Sequence, residues 1–209
     1  MKNFIWIGGI VVITVILMFL ATRRTAINPP FELGIIHPLD NIKGNASSSV
    51  VVMEYSDFQC PACKNYYPVM RELMTEFGDR VAFVYRYFPL TAAHPNAEFA
   101  ARAAQAAGKQ GKFWEMHDLL FEKQNEWTSV ANVEPIFESY AALLDISVNQ
   151  FKIDWASREV KDFVKAEREH AIKSGLAGTP TFFVNGKQIQ NPTSVEAFRA
   201  IIRNAITDK

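Results

Sequence analysis

Cysteine is almost missing from this chain: its 209 residues include two, Cys60 and Cys63. So low a count argues against a disulfide-scaffolded fold and points to a pair that is used. Histidine is also scarce. The four present (His37, His94, His117, His170) never fall in the H-x3-5-H spacing that would complete a zinc site with one cysteine pair. No metal is expected. Charge of either sign lacks an excess, with 22 basic and 22 acidic residues, so nothing in the balance points to nucleic acid. No internal repeat is apparent. What remains is 49% hydrophobic, enough for one core at this length.

The two cysteines stand together as Cys60-Pro61-Ala62-Cys63, after the strand-like run Val50–Tyr55 and before a helical pattern. Two thiols three residues apart at a helix start can form and break a disulfide. A thiolate there faces the positive end of the helix dipole, which lowers its pKa. Pro61 suits the first helical position, where a proline costs no hydrogen bond. A Cys60 thiolate would accept from the amides of Ala62 and Cys63, as an N-cap oxygen does. A purely structural disulfide closing so small a loop would constrain the unfolded chain little. The motif reads as a redox centre.

A second segment runs Gly178-Thr179-Pro180-Thr181-Phe182-Phe183-Val184-Asn185-Gly186. Pro180 opens a β-branched and aromatic run, which a strand tolerates at its first residue, and Asn-Gly closes it as a hairpin turn. Other marks are Glu54–Gln59 before the cysteines, Tyr87-Phe88-Pro89-Leu90, His94-Pro95-Asn96-Ala97 and Gln110–Asp118. With these, over roughly residues 40 to 207, the chain resembles the DsbA-like thiol:disulfide oxidoreductases of the thioredoxin fold. The resemblance implies an α/β fold with a helical insertion over about 93–175. It also implies a cis Thr179-Pro180 bond against the active-site cysteines, with Thr179 offering backbone hydrogen bonds to a bound polypeptide. Glu54 falls where that family has a buried acid beneath the second cysteine. One departure stands between the cysteines. DsbA proper has histidine there, this chain has Ala62, and the imidazolium that would favour a very strong oxidant is lost.

The rest of the chain fits this layout. A helix through Tyr66, Val69, Leu73 and Phe77 ends near Gly78, with a kink expected at Pro68. Val81–Tyr87 reads as a strand. Pro95–Ala107 is an alanine-rich helix stopped by Gly108. Phe113, Met116, Leu120 and Gln124 mark a second helical face, and Val133, Ile136, Phe137, Tyr140 and Leu144 a third. Ser147 and Gln150 form a capping box for a fourth. Val160 to Ala171 lie on a longer helix ending at Gly175, and a last helix is expected to be capped by Thr193 and Glu196. His94 and His117 are given structural roles, and Asp57 a turn-forming one.

Phe4 to Ala21 is an apolar run of 18 residues. At ~1.5 Å per residue it spans roughly 27 Å, close to the ~30 Å hydrocarbon core. Phe19 fits badly at a small-residue cleavage position, so an uncleaved signal-anchor over 1–24 is expected. Lys2 lies on one side and Arg23 and Arg24 on the other, so the positive-inside rule does not fix the orientation. A dithiol oxidant is useful where disulfides persist, which places the catalytic part outside the cytosol, tethered to the cell membrane. Residues 25–48, with Pro29, Pro30, Pro38 and a small polar run, read as a linker. The catalytic domain is taken as 49–207.

The expected activity is dithiol oxidation by exchange at Cys60–Cys63, with Cys60 as attacked sulfur, Cys63 as resolving thiol and Glu54 as proton relay. No cofactor is needed. Expected partners are cysteine-containing polypeptides and, by resemblance, a membrane reoxidant of the DsbB or VKOR type; a monomer is expected. Two alternatives stay open: a tethered reductase or electron carrier of the same fold, and a peptide-binding, chaperone-like module.

Overall fold

The computed structural model describes residues 32–208; the expected anchor over 1–24 and the first part of the linker lie outside the described residues. Among the described residues no helix is long and apolar enough to cross a membrane. Strand β2 (Val51–Ser56) leads into helix α1 (Pro61–Phe77), and the chain returns in β3 (Ala82–Tyr87), parallel to β2. Strand β4 (Thr181–Val184) then pairs antiparallel with β2 and turns into β5 (Lys187–Gln188). Asn185 and Gly186 carry φ of 48° and 79°, the two positive values that a type I′ hairpin requires.

Part of the stretch read as linker is built into the sheet. Residues Asn41–Gly44 form β1, antiparallel to β3, so the strand order is β1-β3-β2-β4-β5. Four residues in a proline-rich, polar context give too short a pattern to read. Gly44 closes this strand at φ 86°, where a Cβ would lie 2.5 Å from the Val81 carbonyl oxygen. The segment before β1 is held by Arg86, which is fully buried. Its Nε and Nη2 each donate at 2.8 Å to Asp40, Nη1 donates to the Glu32 carbonyl and the Tyr55 hydroxyl, and Nη2 to the Ile35 carbonyl.

Alternation along β2 sends Val52, Glu54 and Ser56 to one face and Met53 and Tyr55 to the other. On the first face Val52, Phe83 and Phe182 pack against Met70, Leu73 and Phe77 of α1 and against Phe198 and Ile202 of the last helix, α8 (Val195–Thr207). Helix α1 runs on through Pro68. The cap of α8 is Ser194, one residue beyond the expected Thr193: its extended backbone lets the hydroxyl accept from Ala197 N–H at 3.1 Å. On the second face Met53, Tyr55 and Phe183 pack with Ala171 and Leu176.

Between β3 and β4 comes the helical insertion: α2 (Ala97–Gly108), α3 (Phe113–Glu122), α4 (Gln124–Trp127), α5 (Glu134–Leu143), α6 (Val148–Ala156) and α7 (Arg158–Lys173). Its centre is α2, whose buried alanines let neighbouring helices approach closely. The second expected helical face divides, since Gln124 opens its own short helix α4. Ser147 caps α6, accepting from Gln150 N–H at 3.2 Å, as its spacing implied. This mixed α/β fold with a helical insertion is the class expected from the sequence.

Candidate active site

Helix α1 begins at Pro61, and Cys60 is its N-cap residue with extended backbone. Both cysteines are free thiols. Cys63, one turn inside the helix, is 0% exposed, whereas Cys60 is 6% exposed. The Thr179-Pro180 bond is cis, and it brings Thr179 against the first cysteine: Cys60 Sγ–H donates to the Thr179 carbonyl at 3.5 Å. Pro61 and Ala62 are exposed on the outer side of the turn.

The two thiols are driven apart in acidity. Cys60 is held down at about 5, first by the Cys63 thiol donating toward it, then by the Thr179 hydroxyl and the amides of Cys63 and Ala62, against the opposing effect of burial. In the thiol form the Cys60 side chain makes no cap hydrogen bond; the amides of Cys63 and Ala62 act on the thiolate. Thr179 Oγ1 is buried without a hydrogen-bond partner among the described residues, placed to donate once Cys60 is ionised. Cys63 is pushed well above the usual thiol range, first by burial, then by the hydrogen bond to Cys60 and by the charges of Glu54 and Cys60.

Beneath Cys63 lies a polar cluster. Glu54 is 6% exposed, and burial raises its carboxyl to about 7, partly countered by the Ser56 hydroxyl. Ser56 shares its strand face, and Tyr85 sits opposite Glu54 in the β2–β3 register. The Ser56 and Tyr85 hydroxyls are buried without partners among the described residues. A carboxyl titrating near neutrality beside a thiol held protonated can pass a proton to it or take one back.

The insertion holds this loop from outside through side chains to which the sequence alone assigns no individual role. Gln124 Nε2 donates to the carbonyls of Phe58 (2.8 Å) and Cys60 (3.2 Å). Gln59 Nε2 donates to the Thr128 carbonyl at 3.0 Å, and its Oε1 accepts from Asn96 N–H at 2.7 Å. Gln124 thus ties the carbonyls on either side of Gln59 to the insertion, and Gln59 in turn satisfies the Thr128 carbonyl at the end of α4. Asp57 does more than form a turn: its fully buried carboxylate meets His94 Nδ1 at 2.7 Å. His117 is buried among Phe58, Tyr85 and Phe121, a packing role as expected.

The family model described as thioredoxin matches residues 38–204. A curated relative, "Na(+)/H(+) antiporter NhaA 3" of Salinispora tropica, is 39% identical over 166 residues, covering 79% of this chain and 24% of that one. The chain thus spans about a quarter of the length of the curated relatives it matches. Among solved structures, alpha-DsbA1 of Wolbachia pipientis superposes with a TM-score of 0.74 at 18% identity, covering 83% of this chain and 94% of that chain. Oxidised BdbD of Bacillus subtilis gives 0.71 at 23% identity, covering 80% and 93%. At these identities the likeness is one of fold.

Proposed function

This chain belongs to the thioredoxin family, matched over residues 38–204, and from that premise we propose that it is a thiol:disulfide oxidoreductase that introduces disulfides into cysteine-containing polypeptides. The observation that carries the reading is the placing of the two thiols, Cys60 at the N-cap of α1 against Thr179 and Cys63 fully buried one turn on, which holds Cys60 down at about 5 and Cys63 well up. A stable Cys60 thiolate is a good leaving group, and by stabilising the dithiol form it makes the disulfide form the stronger oxidant.

The steps follow from those two sulfurs. A substrate thiolate attacks Cys60 of the Cys60–Cys63 disulfide, the S–S bond breaks, and Cys63 leaves with the electron pair. Cys63 takes a proton that Glu54 holds near neutral pH. A second substrate thiolate then attacks the substrate sulfur of the mixed disulfide, and Cys60 departs as thiolate. The substrate loses two electrons and two protons; one proton ends on Cys63 and the other in solvent. Thr179 and Pro180 flank the attacked sulfur and would hold the substrate chain.

The apolar run at 4–21 supports a membrane anchor, and the usefulness of a dithiol oxidant outside the cytosol supports an extracytoplasmic catalytic domain. A membrane reoxidant of the DsbB or VKOR type would then return the dithiol to disulfide. Transport is not proposed, because three quarters of the antiporter relatives lie outside the match. The direct test is oxidation of a reduced two-cysteine peptide by the oxidised full chain. Stoichiometric peptide disulfide, absent with Cys60→Ala, supports the reading; no exchange with the wild type ends it. Protease protection that placed the C-terminal end in the cytosol would end the export claim alone.

A further inference from the structure

Asp57 and His94 lie 37 residues apart in the chain, on the loop after β2 and on the turn before α2. The fold joins them. Asp57 Oδ2 contacts His94 Nδ1 at 2.7 Å and accepts from Leu90 N–H at 2.9 Å, while Oδ1 accepts from Gln59 N–H at 2.7 Å. The side chain of Asp57 is 0% exposed. Held from three sides, the carboxylate cannot swing away. The imidazole backbone is fixed as well: His94 N–H donates to the Leu90 carbonyl at 2.9 Å and its own carbonyl accepts from Ala97 N–H at 3.1 Å. A carboxylate on Nδ1 keeps the ring hydrogen there and leaves the lone pair on Nε2. Nε2 has no hydrogen-bond partner among the described residues, and the His94 side chain is 18% exposed to solvent.

That solvent is a groove of about 430 Å³, lined by His94 and Gln59, by Pro61, Lys64 and Asn65 of α1, and by Gln124, Asn125, Thr128 and Ser129. Gln59 and Pro61, the residues on either side of Cys60, both line it, so the groove passes beside the cysteine's place in the chain. Lys64 Nζ donates to Asn125 Oδ1 at 3.0 Å and to no carboxylate among the described residues. The charged or titratable groups around His94 are therefore Asp57 behind it and Lys64 across the groove, with Cys60 between the lining residues Gln59 and Pro61. The other lining side chains are amides, hydroxyls and proline.

We propose that His94, oriented by Asp57, accepts the proton of the substrate thiol as it enters this groove beside Cys60, with Lys64 drawing the resulting thiolate in. This rests on the exchange reading above. The substrate S–H gives its proton to Nε2. The freed electron pair forms the bond to Cys60 while the Cys60–Cys63 bond breaks and Cys63 carries off that bond's pair. His94 then releases its proton to solvent. Each disulfide made expels one proton near neutral pH because Cys60 stays ionised, and the Nε2 edge gives it a route out.

The test measures the second-order rate at which the oxidised full chain oxidises a two-cysteine peptide, between pH 5.5 and 9.5, for wild type and His94→Gln. A base matters only where the substrate is still a thiol. The variant should be slower by roughly tenfold at pH 6, and the deficit should vanish above the ordinary thiol pKa of about 8.5. Asp57→Asn, which loosens the ring but keeps an acceptor, should show a smaller loss with the same pH signature; it serves if His94→Gln does not fold. An equal loss at every pH, or none, overturns the role of His94 while leaving the exchange reading intact. No oxidation by the wild type at any pH overturns the exchange reading itself.

Discussion

Thr179 meets Cys60 with two opposed groups: its carbonyl accepts from the Cys60 thiol at 3.5 Å, while its buried hydroxyl lies unpaired beside the same sulfur. The carbonyl favours the thiol and the hydroxyl favours the thiolate, so the balance is tunable at one residue. Thr179→Val removes the hydroxyl and keeps the carbonyl. The Cys60 thiolate inflection, followed by ultraviolet absorbance or by alkylation against pH, should move upward from about 5. Alkylation at pH 5 should slow by roughly threefold to tenfold. An unmoved inflection would remove Thr179 from the tuning of the thiol.

The same acidity difference separates the two sulfurs in their reactions. Cys60→Ala should abolish exchange, because the remaining Cys63 is buried and held protonated. Cys63→Ala should accumulate mixed disulfides with substrate, visible as thiol-sensitive adducts on non-reducing gels. Trapping that required Cys63 and not Cys60 would reverse the assigned roles.

Glu54 adds a pH dependence whose sign follows from its environment. Its carboxyl titrates at about 7 in the fold against an ordinary 4.5. Between those values the folded protein keeps a proton that the unfolded chain has lost. Its contribution to stability is therefore present below pH 4.5 and lost as pH rises through about 7, a change of roughly 3 kcal/mol. Urea unfolding at pH 5 and pH 8 should show a smaller fall in Glu54→Gln than in wild type. The variant should also exchange more slowly, since the amide cannot supply Cys63 with a proton. Buried Glu167, raised to about 8, gives a remaining slope of the same sign. An identical slope in wild type and Glu54→Gln would show that Glu54 titrates as an ordinary surface carboxyl.

Arg86 and Asp40 pair with both side chains essentially unexposed, 1% and 0%. Removing one partner leaves the other charge buried and uncompensated, which costs about 3–5 kcal/mol. Asp40→Ala should lose stability on that scale in chemical denaturation and should loosen the segment at 32–40, read as faster amide exchange there. A loss below about 1 kcal/mol, typical of exposed pairs, would contradict this anchoring role.

The residues that form the candidate site were legible as motifs because they are local. Cys60–Cys63 at a helix start, Pro180 at a strand start and Asn185-Gly186 at a turn each declare themselves within a few residues. Ser147 did so too, through the capping spacing. What the sequence hid depends on distance or on small differences. Strand β1 is four residues that owe their conformation to pairing with β3. Arg86 finds Asp40 across 46 residues and His94 finds Asp57 across 37, and no short pattern encodes either meeting. Gln59, Asn96 and Gln124 each find their side-chain hydrogen-bond partners 31 or more residues away, Asn96 Nδ2 donating to the Trp127 carbonyl at 3.1 Å, so no local pattern announces them. Thr193 and Ser194 are both competent caps, and the extended backbone of Ser194 decided between them.

The reduction potential of the Cys60–Cys63 pair tests the proposed direction of electron flow most directly. It would be measured on the full chain by equilibration in glutathione buffers with thiol trapping. A Cys60 thiolate this well stabilised should place it above about −200 mV, toward the ~−120 mV of strong dithiol oxidants. A value below about −200 mV, toward the ~−270 mV of thioredoxin, would contradict an oxidase and identify a reductase on the same fold.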